Sequence, residues 1–128
     1  MVRILIAEDD ESVRTFVTRA LEQRGFEVTA ANDGLQALEC LKDGPFDLLI
    51  TDIVMPGLDG IGLALKVTRD HPDLPVLLMT GYSAERQRAH NLDELIAEVL
   101  VKPFTLKQIC EAAETALGLR RTTDDAHR

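Results

Sequence analysis

Along the chain, short apolar runs take turns with stretches whose apolar residues recur every three or four positions, the alternation of strands and helices. Arg3 to Ala7 reads as a first strand, after which Val13, Phe16, Val17, Ala20 and Leu21 mark one face of a helix stopped by Gly25. A weaker second strand spans Glu27 to Ala31. Asn32-Asp33-Gly34 then turns into a short helix with Leu35, Leu38 and Leu41 on one face, ended by Asp43-Gly44-Pro45. The third run, Leu48-Leu49-Ile50-Thr51-Asp52-Ile53-Val54-Met55-Pro56-Gly57, is apolar without alternation until Asp52, as a strand buried on both faces of a parallel sheet requires. A helix near Ile61 to Arg69 stops at His71-Pro72-Asp73-Leu74-Pro75, because proline cannot donate to a helix ladder. Val76 to Met79 is a fourth strand, the polar segment Ser83 to Asn91 a lightly buried fourth helix, and Val99 to Val101 a fifth strand. Thr105 caps a fifth helix striped by Leu106, Ile109, Cys110, Ala113 and Leu117 and closed by Gly118.

This alternation predicts an α/β fold, a parallel sheet covered by helices on both faces, with its ligand crevice beyond the carboxyl ends of the strands. Four strand ends deliver Glu8-Asp9-Asp10, Asp52, Thr80 and Lys102 to that edge. Gathered carboxylates raise one another's pKa values unless a cation resolves the conflict, and oxygen-only ligands select a hard ion such as Mg²⁺. Lys102 and Thr80 add donors suited to the oxygens of an incoming phosphoryl group, with Asp52 as the nucleophile that becomes an acyl phosphate. Taken singly, each feature has a plainer reading: an acidic helix start, a turn threonine, a solvated strand-end lysine. Their joint occurrence on one edge, in order, carries the chemistry. Asp10 and Glu11 read as cap or surface groups and Asp59 as a turn residue.

At 128 residues and 45% hydrophobic content the chain suits one domain, placed at 1–118, followed by a polar tail, 119–128. A net charge of −8 argues against direct nucleic-acid binding. No apolar run reaches the roughly 18 residues of a membrane helix, and Met1-Val2-Arg3 leads straight into a strand, so a cytoplasmic location is expected. Cys40 and Cys110 fit buried thiols, and His71, His90 and His127 lack metal-ligand spacing.

From about Arg3 to Leu117 the chain resembles the receiver domain of bacterial two-component response regulators, the CheY-like superfamily. The resemblance rests on Glu8-Asp9, on Thr51-Asp52-Ile53-Val54-Met55-Pro56-Gly57 with Asp59-Gly60, on Thr80-Gly81 and on Lys102-Pro103-Phe104. It implies a flavodoxin-like three-layer α/β/α fold whose five parallel strands run in the order 2-1-3-4-5, with five helices. It also implies that Asp52 is the phosphoacceptor, that Asp9, Asp52 and the backbone carbonyl of Val54 bind Mg²⁺ directly, and that Glu8 acts through a metal-bound water. Thr80 becomes the switch hydroxyl and Lys102 the phosphate partner. The implied donor is a histidine kinase or histidine phosphotransfer protein. Output passes to a protein target through the face of the fourth helix, fifth strand and fifth helix, and a phosphorylation-dependent dimer is compatible with the family. One departure is Val99, where many receivers carry Tyr or Phe; weaker coupling follows, or a share taken by Tyr82 and Phe104. Val54 and Tyr82 flank the acceptor where the family tunes water attack.

Within the family, Ile6-Ala7-Glu8-Asp9-Asp10 and Thr51-Asp52-Ile53-Val54-Met55-Pro56 are similar to CpdR-type receivers, stand-alone adaptors of the ClpXP protease. Three other readings use the same residues. They are a receiver excised from a transcription factor or hybrid kinase, a pseudo-receiver that binds partners unphosphorylated, and a small Mg²⁺-dependent phosphatase with Asp52 as nucleophile. The phosphatase would need a second carboxylate as general acid and a substrate pocket, which the sequence does not signal. The reading adopted is a signalling module, not an enzyme.

Overall fold

The computed structural model describes residues 1–81 and 97–119. Strands β1 (Arg3–Ala7), β2 (Glu27–Ala31), β3 (Leu48–Asp52), β4 (Val76–Thr80) and β5 (Ala97–Val101) form one sheet in the order β2-β1-β3-β4-β5. All four pairings are parallel. The described helices are α1 (Glu11–Gln23), α2 (Gly34–Lys42), α3 (Gly60–Asp70) and α4 (Leu106–Ala116), so four of the five predicted helices are seen. The predicted helix over Ser83 to Asn91, and Tyr82, lie outside the described residues.

The unalternating third run behaves as a doubly covered strand. All five residues of β3 are buried, and so are all five of β4. Side-chain parity divides them between two cores. Leu5, Ala7, Leu49, Ile53, Val76 and Leu78 meet α2 and α3, whereas Ile4, Ile6, Leu48, Ile50, Leu77 and Met79 meet α1 and α4. Strand β2 lies at the sheet edge and is only partly covered, which explains its weak signal. The order reverses direction at β1 and β3, and there the crevice opens.

Each described helix begins on a side-chain cap. Asp10 accepts from the amides of Ser12 and Val13, Asp33 from Gln36, Asp59 from Gly62, and Thr105 forms a reciprocal capping box with Gln108. Asp59 is thus a helix cap rather than a simple turn residue. Gly25 follows α1 at φ +89°, where a side chain would be strained.

Three expectations are corrected. Leu35 is 61% exposed, because the buried stripe of α2 runs through Gly34, Ala37 and Leu41, with Leu38 beside it. Phe16 is 40% exposed, its ring tilted against Phe104 at the helix rim with centroids 6.4 Å apart. Leu106, the first residue of α4, is also partly exposed rather than in the core.

Candidate functional site

The carboxyl ends of β1, β3, β4 and β5 bring the predicted residues to one edge. Glu8 follows β1 and is almost fully buried, its amide donating to the Ala31 carbonyl at 3.1 Å. Asp9 is exposed at the mouth. Asp52 ends β3 and is 6% exposed. Thr80 ends β4, fully buried, and its carbonyl accepts from the Lys102 amide at 2.7 Å, which pins the lysine just past β5. Val54, two residues beyond Asp52 in the loop, presents its side chain to solvent.

Lys102 is the electrostatic centre. Its Nζ lies 2.8 Å from Asp52 Oδ1 and 3.2 Å from Glu8 Oε1, joining residues 94 apart in sequence. The second Glu8 oxygen accepts from the Asp10 amide at 3.1 Å. Burial nevertheless raises Glu8 from 4.5 to about 7, with the charge of Asp52 adding to the rise; the Asp10 amide and Lys102 hold it down only in part. Burial also raises Asp52, against the hydrogen bond and charge of Lys102. For Lys102, burial works against the ammonium, but its bonds and attraction to Asp52 and Glu8 win and lift it above its ordinary value. Among the described residues, Thr80 Oγ1 has no hydrogen-bond partner. It is a buried hydroxyl with donor capacity to spare.

One oxygen from each of Glu8, Asp9 and Asp52 lies within 4.8 Å of the others. An all-carboxylate oxygen set with one open, exposed member suits a hard divalent cation that keeps part of its water, and such an ion would oppose the upward shift that burial imposes on Glu8 and Asp52. The residues therefore fit Mg²⁺. The larger cavities lie elsewhere. An 830 Å³ groove runs between α2 and α3, and a 550 Å³ pocket lies at the opposite end of the sheet near Phe46 and Pro72.

Glu8 makes stability depend on pH in a definite direction. Its pKa in the fold is above its value in the unfolded chain, so folding binds a proton; the stabilisation is complete below about pH 4.5 and is lost as pH rises through about 7. Urea melts of metal-free protein should show a loss of about 3 kcal/mol across that window from this group. Glu8→Gln should remove that share of the slope, and Mg²⁺ should offset it at neutral pH by binding the ionised carboxylates. Equal slopes in wild type and variant would refute this account of Glu8.

Two features had no signal in the sequence. Arg14, on α1, reaches back to the Glu8 carbonyl with Nη1 at 2.9 Å. At Gly60 the start of α3 presses on the end of β3 so closely that a Cβ would stand 2.0 Å from the Asp52 carbonyl oxygen. Asp59-Gly60 was legible as a motif, but not the reason for its glycine.

Comparisons with known proteins agree with this fold. The family model for the response regulator receiver domain matches residues 4–114. The chain is 44% identical over 117 residues to the response regulator receiver protein CpdR of Brucella abortus (strain 2308), covering 91% of this chain and 98% of that protein. It is 34% identical to the response regulator MprA of Mycobacterium ulcerans (strain Agy99), covering 97% of this chain but only 53% of MprA, so it spans about half of that relative. Among solved structures it is similar to response regulator TrrA of Thermotoga maritima in complex with Mg²⁺-BeF, with a TM-score of 0.81 and 30% identity, over 91% of this chain and 99% of that one. It is also similar to the chemotaxis protein CheY4 of Vibrio cholerae, with a TM-score of 0.82 and 26% identity, over 91% of this chain and 98% of that one. With the matched region running through both acidic strand ends and the lysine, the chain belongs to the response regulator receiver domain family.

Proposed function

We propose that this receiver takes a phosphoryl group on Asp52 from a phosphohistidine of a histidine kinase or phosphotransfer protein and signals through protein contacts. The observation that carries the reading is the bridging of Asp52 and Glu8 by Lys102, close to a Thr80 hydroxyl that has no partner among the described residues. An Asp52 carboxylate oxygen attacks phosphorus, the P–N bond to the donor imidazole breaks, and an acyl phosphate forms. Glu8, Asp9, Asp52 and the Val54 carbonyl would hold Mg²⁺, Glu8 through water; the ion, when bound, neutralises charge on the transferred group. Lys102 then exchanges a carboxylate oxygen for a phosphoryl oxygen, and Thr80 donates its spare hydrogen bond to the same group. The reading is that of a cytoplasmic signalling domain rather than an enzyme.

Movement of Thr80 toward the phosphoryl group would strain β4 and β5, which pair through Thr80 and Val101. Output then runs through β5, α4 and the segment before β5, where Val101 and Leu106 offer exposed apolar surface. Val99 replaces an aromatic switch there. It packs with the core on the α2 and α3 side, whereas Phe104 packs on the opposite core and against Phe16. The match over nearly the whole of CpdR supports output from the receiver surface itself.

Incubation with Mg²⁺ and acetyl phosphate should add one phosphoryl group by intact mass, with none added in chelator. No addition, under conditions that label another receiver, would refute the reading, and continuous release of inorganic phosphate over many turnovers would favour the phosphatase. Thr80→Ala should label to near the wild-type extent and change metal-free stability by less than about 1 kcal/mol, because it removes a hydroxyl that makes no hydrogen bond among the described residues. Its β5 amide signals should no longer move on phosphorylation; movement equal to wild type would remove Thr80 from the switch.

A further inference from the structure

We infer that Arg14 is a positioning residue that sets the direction of the Asp9 carboxylate by locking the Glu8–Asp9 peptide, and thereby raises affinity for the divalent cation. The inference rests on the reading of Asp9 as a cation ligand. The Glu8 residue is held from four sides. Its amide donates to the Ala31 carbonyl at 3.1 Å, and its carboxylate accepts from the Asp10 amide and from Lys102. Its carbonyl accepts from Arg14 Nη1 at 2.9 Å. The first three bonds fix the β1 end and the Glu8 side chain. Among the described residues it is Arg14 that holds the carbonyl of the next peptide, the one from which the Asp9 side chain departs.

Asp9 needs such help. It is exposed, it lies between the end of β1 and the Asp10 cap of α1, and it still has to place an oxygen within 4.8 Å of those of Glu8 and Asp52. Arg14 stands one turn into α1, whose start is anchored by that cap, so the guanidinium reaches back from a rigid element. Its partner is a carbonyl, so a positive charge is held close to a site meant for a cation. That charge opposes cation binding, while the hydrogen bond favours it by ordering a ligand. The two effects have opposite signs, and a substitution tells them apart.

Mg²⁺ titrations of the unphosphorylated protein, followed by calorimetry and by the amide signals of Glu8 and Asp9, test the inference without reference to phosphorylation. Arg14→Ala should weaken Mg²⁺ binding about tenfold, despite the loss of a like charge, and Arg14→Lys should recover part of the loss. If Arg14→Ala folds poorly, Arg14→Met keeps the packing of the stem and serves the same comparison. Labelling by acetyl phosphate should be slowed in the variants at low Mg²⁺ and restored at saturating Mg²⁺. Unchanged or tighter Mg²⁺ binding in the charge-removing variants would overturn the positioning role. A wild-type protein that binds no Mg²⁺ would instead overturn the cation-site reading and this inference with it.

Discussion

Asp52→Asn should take up no phosphate from acetyl phosphate or a phosphohistidine donor while remaining folded. The amide has nearly the shape of the carboxylate but no anionic oxygen to attack phosphorus, and no other group at this edge has the same surroundings. Glu8 is buried and holds a proton up to about pH 7, and Asp9 lies exposed at the mouth without the Lys102 contact made by Asp52. The stability effect follows from the sign of the Asp52 shift. Its pKa is raised in the fold chiefly by burial, so the ionised form at neutral pH costs stability. A neutral amide does not incur that cost, and Asp52→Asn should melt at or above wild type in metal-free buffer. Mg²⁺ should stabilise it much less than wild type, because one of three carboxylates is gone. Intact mass with hydroxylamine treatment, which cleaves acyl phosphates, checks the chemistry. Labelling of Asp52→Asn would move the acceptor elsewhere, Asp9 being the next carboxylate to test.

Gly60→Ala should be among the most damaging single substitutions away from the reacting atoms. The added methyl carbon would lie 2.0 Å from the Asp52 carbonyl oxygen and 2.8 Å from the Ile53 Cα, both backbone atoms that cannot rotate aside. The Gly60 amide donates to the Ile53 carbonyl at 2.8 Å, so the close approach is bonded in place. Relief requires α3 to separate from the end of β3, and the cost should be at least about 3 kcal/mol, or about 10 °C in melting temperature. Asp52, the proposed acceptor, would shift with its strand, so phosphate uptake should fall as well. Gly25→Ala is the contrast. Nothing lies within 4 Å of its added carbon, and only the φ of +89° is strained, for about 1 kcal/mol. Equal losses at the two glycines would show that crowding at Gly60 is not what matters.

The type and order of the described elements were legible because periodicity is written in neighbouring residues. The unbroken apolar run of β3 became a strand buried at every position, and Asp10, Asp33 and Thr105 cap helices where local signals of turn or cap stood. The chemical residues were legible too, since a strand that ends in a carboxylate, a threonine or a lysine declares where that group is delivered. Leu35 and Phe16 were misjudged for a definite reason. Helical spacing says that apolar residues share a face, but how wide a face is buried depends on the neighbouring element, and at α2 the buried stripe is Gly34-Ala37-Leu41, which leaves Leu35 outside.

What the sequence by itself determined was therefore the alternation of the described strands and helices, most of their caps and the inventory of the candidate site: Glu8, Asp9, Asp52, Thr80 and Lys102. Tertiary structure alone decided the contacts among them. Lys102 bridges Glu8 and Asp52 because the strand order sets the β1, β3 and β5 ends along one edge, Arg14 reaches the Glu8 carbonyl because a capped helix turns back over the β1 end, and Gly60 is required because α3 starts against the Asp52 peptide. Local periods repeat over a few residues and can be read from one segment. The meeting of segments far apart in the chain depends on how all the strands pair, and no single segment encodes that.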